Sequence, residues 1–189
     1  MSILMRLASF GAESFAPASE GTGAGAKDPA EVMKDVRLMF IGIKAGEVGM
    51  APCAEFPRAW GVAMDWPLPS GHTATVVADK EGHASLYTTS TFGILGGIGH
   101  EPVRAAAQTF VRIAERFVDQ AAPVSEFPYP PGDRAYFYIR TYEGVRRVEA
   151  LPADIANAAL GLGAFFNAGQ NVLTELRQGV EQQVRERKG

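Results

Sequence analysis

The stretch His72-Thr-Ala-Thr-Val-Val-Ala-Asp79-Lys-Glu-Gly82-His83-Ala-Ser-Leu-Tyr87-Thr-Thr-Ser90 decides the reading of the fold. Apolar and polar residues alternate on both sides of Asp79-Lys-Glu-Gly82, which is the period of two of a strand. Gly82 suits the left-handed position of a type I turn followed by a bulge, so the two arms form a hairpin. That register opposes Asp79 to His83, Val77 to Ser85, Thr75 to Tyr87 and Thr73 to Thr89. The alternate pairs are Ala78 with Ala84, Val76 with Leu86, Ala74 with Thr88 and His72 with Ser90. One face is then aliphatic and is expected to meet helices, while threonine, serine and tyrosine dominate the other.

Upstream, Trp60, Val62, Met64 and Trp66 alternate with Ala59, Gly61, Ala63 and Asp65, which predicts a strand with one bulky and one nearly bare face. Asp28-Pro29-Ala-Glu31 predicts a helix start, with Asp28 as cap and Pro29 in the first turn. Val32, Val36, Met39, Phe40 and Ile43 follow at helical spacing, and Gly42 and Gly46 mark the end; a strand over Val36–Ile43 is the competing reading. Residues 1–27 are small, polar and glycine-rich, and are expected to form an irregular arm.

Downstream, Gly93, Gly96, Gly97 and Gly99 make a glycine-rich bend. Pro102 then opens a helix whose stripe is Val103, Ala106, Ala107, Phe110, Ala114, Phe117 and Val118. A proline-rich connection over residues 121–133 leads to a second hairpin, residues 134–142 and 145–150. A turn at Glu143-Gly144 would pair Ile139 with Val148 and would set Arg140 against Arg147. The C-terminal part is helical, with glycines predicting a break near Leu162 and small residues permitting close backbone approach.

The expected architecture is therefore one α+β domain over residues 28–187. It has an antiparallel sheet of about five strands in β-β-β-α-β-β order, flanked by helices. That element order resembles the profilin-like and roadblock-type layout; the resemblance rests on order alone and implies no function.

Composition narrows the function classes. The 189 residues carry a formal net charge of −3 and 47% hydrophobic residues, which speaks for a globular chain and against a nucleic-acid partner. A single cysteine, Cys53, excludes an internal disulfide framework. No apolar run approaches the ~18 residues of a membrane span, and Arg6 interrupts the N-terminal apolar run before it reaches the length of a secretory signal. The expectation is a cytoplasmic protein with no membrane association and no cofactor.

No chemical motif is complete. The glycine bend lacks the Lys-Ser/Thr of a phosphate loop and the third glycine of a dinucleotide fingerprint. His72 and His83 lie roughly 20 Å apart at opposite ends of their hairpin, so no metal site is expected. His72, Ser90 and Asp65 would make a hydrolase-like triad only without a nucleophile elbow. Arg134, Tyr136, Tyr138, Arg140 and Tyr142 interleave aromatic and positive groups, the composition of a protein interface.

The sequence thus leads to a non-enzymatic, homodimeric interaction module, with Tyr136, Tyr138, Arg140 and Tyr142 as interface residues. The alternative is a small anionic-ligand binder or hydrolase-like enzyme. Its pocket would lie at the Gly93–His100 bend, lined by Trp60, Trp66, His72, Ser90, Gly97, Gly99 and His100.

Overall fold

The computed structural model describes residues 28–95 and 99–186; the expectations for the N-terminal arm and for Gly97 fall outside them. In chain order the elements are α1 (Pro29–Gly42), β1 (Ala59–Pro67), β2 (Thr73–Asp79), β3 (Ala84–Thr88) and β4 (Gly93–Leu95). They continue with α2 (Glu101–Ala114), β5 (Ala122–Val124), β6 (Ala135–Thr141), β7 (Gly144–Ala150), α3 (Pro152–Ala156) and α4 (Leu162–Glu186). All strands join one antiparallel sheet in the order β4-β3-β2-β1-β6-β7-β5.

The fold is α+β, but the sheet has seven strands where about five were expected. The two additions are three-residue edge strands, too short to show a period in sequence. β4 arises because Thr88 folds the chain back: its hydroxyl donates to the Phe92 carbonyl (2.8 Å) and accepts from the Phe92 amide (3.0 Å). The glycine bend thus begins as a strand, Leu86 lying opposite Ile94. β5 lies on the outer side of β7, where Pro123 loses no ladder bond because an edge strand need not donate outward.

The β2–β3 hairpin has the expected register, from Ala74 opposite Thr88 to Ala78 opposite Ala84, with Gly82 at φ +91°. The β6–β7 hairpin is shifted by two residues from its expected register. Its turn is Tyr142-Glu143, Ile139 faces Arg146, and Arg140 faces Val145. A two-residue shift leaves every side chain on its expected face, and it removes the repulsion between Arg140 and Arg147.

One sheet face carries Val62, Met64, Val76, Leu86, Phe137 and Ile139 and packs under α2 and α4. Phe165 of α4 is the centre of this layer, stacked 4.2 Å from Phe137 and 4.9 Å from Phe117. Gly169 brings the α4 backbone against Met64 and Phe110, where a methyl group would collide. The helical break near Leu162 is present: α3 ends, a 3-10 turn spans Ala158–Leu160, and Gly161 takes φ +68°.

α1 covers the opposite face, over Ala63, Val77, Tyr87, Tyr136 and Tyr138. Its buried side differs from the expected stripe. Val32 and Met39 are exposed, whereas Met33, Val36, Phe40 and Ile41 pack inward together with Arg37. The helix is rotated because Arg37 forks onto Asp65 of β1, Nε reaching Oδ1 at 3.2 Å and Nη2 reaching Oδ2. Asp65 also accepts from the Thr75 hydroxyl (2.6 Å), and Arg37 Nη1 donates to the Phe127 carbonyl (2.8 Å). Arg37 lies 4.2 Å from the Tyr129 ring centroid as well. Burial raises the pKa of the Asp65 carboxyl, and the Arg37 and Thr75 hydrogen bonds oppose that rise. One buried ion pair therefore fastens helix, sheet and the proline-rich connection together.

Candidate functional site

A bulge in β1 creates the site. Ala59 pairs with Thr141 and Gly61 with Arg140, leaving Trp60 as the extra residue. Trp60 consequently leaves the face of Val62, Met64 and Trp66. It packs instead with Ala45, Val48 and Met50 of the segment that follows α1. Its indole N–H donates to the Thr141 carbonyl at 3.1 Å, which fixes the ring.

Arg140 of β6 lies over that ring, its guanidinium carbon 3.7 Å from the centroid. The stem of Arg140 fits because residue 61 is glycine. A methyl group there would come within 3.1 Å of Arg140 Nη1 and of the Ala78 carbonyl. Arg140 is only 4% exposed. Nevertheless its Nε has no hydrogen-bond partner, and no carboxylate forms an ion pair with the guanidinium among the described residues. Asp79, which acts on it at longer range, is committed to the His83 ring and to the Glu81 and His83 amides. Burial pushes the Arg140 pKa down to about 9, with Asp79 and Tyr87 opposing the fall. The group is still charged at neutral pH.

This cation borders a cavity of about 470 Å³, a volume within the range of small-molecule sites. Arg140 and Trp60 line it together with Ile43, Lys44, Glu47 and Glu143. Lys44, Glu47 and Glu143 are exposed at the rim. The Lys44 amide donates to Glu47 Oε2 (2.9 Å), and the Glu143 amide to the Thr141 hydroxyl (3.3 Å), so both rim segments have fixed backbones. Among the described residues no histidine, cysteine or serine lines the cavity.

The residues expected around the glycine bend are dispersed. Trp66 packs edge-on to Phe166 at 6.4 Å, while the His100 ring contacts Gly179 and bonds Gln183 at 2.8 Å. Thirteen residues of one helix separate those two anchors, or roughly 20 Å. His72 approaches the Thr89 hydroxyl (3.3 Å), and the Ser90 hydroxyl approaches Thr88 (2.9 Å). Since Asp65 is taken by Arg37 and Thr75, the structure does not assemble His72, Ser90 and Asp65. Gly99 is exposed with open space about its Cα. Of the expected interface residues, Tyr136, Tyr138 and Arg140 are buried within the chain. Tyr142 is half-buried and donates to the Ala51 carbonyl at 3.0 Å.

What the sequence reading lacked was the pairing of Trp60 with Arg140. An isolated glycine within a strand, here Gly61, signals a bulge or a close approach and was the available clue. Lys44, Glu47 and Glu143 carry no such signal.

Comparison with known proteins leaves the site to its own geometry. No family model, curated protein or solved structure matches the chain. The profilin-like and roadblock-type layout expected from element order is not confirmed. Among the described residues no cluster of potential metal ligands occurs, and no helix is long and apolar enough to cross a membrane.

Proposed function

We propose that this chain is a small-ligand-binding module whose site is the cavity around Arg140, and that the ligand presents an oxyanion to that guanidinium. One observation carries the reading: a buried arginine with no ion-pair partner among the described residues borders an open cavity. A desolvated charge is unfavourable unless paired, and a bound anion supplies the missing partner through charge-assisted hydrogen bonds. Trp60 and Gly61 hold the guanidinium in place, which lowers the ordering cost of binding.

A homodimeric interaction module, the expectation from sequence, has less behind it. Three of its four interface residues already spend their surface on intramolecular packing.

The test is a thermal-shift series with small carboxylates, phosphate, sulfate and nucleotides, run on the wild type and on Arg140→Met. A ligand at a hundred times its Kd stabilises by about 2.7 kcal/mol, a shift of roughly 5–10 °C for a chain of this size. At least one anion is expected to raise the wild-type Tm and to leave Arg140→Met unmoved. Equal shifts in both proteins, or none in the wild type, would refute the reading.

A further inference from the structure

The charges around the cavity are sorted by depth. Arg140 lies at the buried floor, while the mouth carries two carboxylates, Glu47 and Glu143, against one cation, Lys44. Across the four charged lining residues the signs balance. A multiply charged anion seated on Arg140 would extend toward the two rim carboxylates and be repelled by them. A molecule with an anionic and a cationic end meets complementary charge at both depths. The lining is also partly apolar, with Ile43, Ala45, Val145 and Trp60.

From this arrangement we infer that the ligand is a free amino acid with an apolar side chain. Its carboxylate faces Arg140, its ammonium group faces Glu143 and Glu47, and its side chain rests on the Ile43–Val145 wall. The inference rests on the Arg140 reading above and adds the chemical class of the ligand. Glu143 suits the ammonium group because it sits in the two-residue β6–β7 turn, three residues from Arg140, with its backbone held by Thr141. A charged hydrogen bond of this kind contributes about 1.5–3 kcal/mol, a factor of roughly ten to a hundred in affinity.

Titration calorimetry at neutral pH with four probes separates the possibilities: L-leucine, 4-methylpentanoate, 3-methylbutylamine and inorganic phosphate. Leucine is expected to bind at least about tenfold more tightly than 4-methylpentanoate, which lacks only the ammonium group. The amine and phosphate are expected to be weaker still. The variant E47Q/E143Q, altered only at the exposed rim, should lose about tenfold for leucine and nothing for 4-methylpentanoate. Arg140→Met should lose both. If 4-methylpentanoate or phosphate binds the wild type as tightly as leucine and Arg140→Met abolishes it, the amino-acid assignment falls and the anion site stands. If no probe binds in an Arg140-dependent way, the amino-acid assignment falls. The thermal-shift series, with its wider set of anions, then decides whether the site reading falls with it.

Discussion

Replacing Arg140 with methionine is expected to stabilise the unliganded protein, an unusual outcome for a buried side chain. The magnitude follows from the guanidinium's surroundings. Burial brings its pKa down to about 9 from the usual arginine range, with Asp79 and Tyr87 opposing the fall. At 1.36 kcal/mol per pH unit, the native state carries the charge at a cost of about 5 kcal/mol. Methionine keeps most of the stem over Gly61 and removes the charge. It forfeits the contact with Trp60, worth about 2 kcal/mol or more when desolvated. The net gain is about 2–3 kcal/mol, or roughly 5–10 °C in Tm. Urea unfolding followed by fluorescence reads it, after one cycle of unfolding, dialysis and refolding has stripped any co-purified anion. The gain also has a pH signature. Because the folded pKa lies below the unfolded one, wild-type stability rises relative to the variant as pH climbs above about 9. The gain should hold from neutral pH to about 9 and shrink beyond it. If Arg140→Met proves less stable than wild type by 1 kcal/mol or more, with the anion removed, the charge is compensated within the chain and the argument fails.

Two further outcomes are expected. Arg37→Met should cost about 3–5 kcal/mol, because it strands the buried Asp65 carboxylate; adding Asp65→Leu should recover part of the loss, whereas additive losses in chemical denaturation would contradict the pairing. His83, held by Asp79 at 2.9 Å, has a pKa raised chiefly by that hydrogen bond, with burial opposing it. Its stabilising contribution is therefore complete below the ordinary histidine pKa of 6.5 and declines as pH rises through the raised value. The stability difference between wild type and His83→Ala should shrink as pH rises above 6.5, and a pH-independent difference would exclude the pair.

Much of the scaffold was legible because it depends on short-range periodicity. Gly82 and the alternation on either side of it specify the β2–β3 register, and the stripe from Val103 to Phe117 specifies the helix packed above. The face of α1 was not legible: apolar periodicity points to Val32 and Met39, and it discounts a charged residue whose partner lies 28 positions away. The edge strands β4 and β5 were equally hidden, since three residues show no period and their pairing depends on how Thr88 and Pro123 meet their neighbours.

The candidate site divides along the same line. Trp60 and Arg140 stand out individually in the sequence as an aromatic wall and a basic group, but nothing local joins residues 80 positions apart. Their union depends on one extra residue in β1, which turns Trp60 to the other face of the sheet, and on the absence of a side chain at Gly61. The sequence alone determined the five longer strands, the long helices and most of their inward faces, through contacts between near neighbours. Only the tertiary structure decided that a buried guanidinium would lie at a cavity with no ion-pair partner among the described residues, because pairing and burial depend on which distant strands and loops converge there.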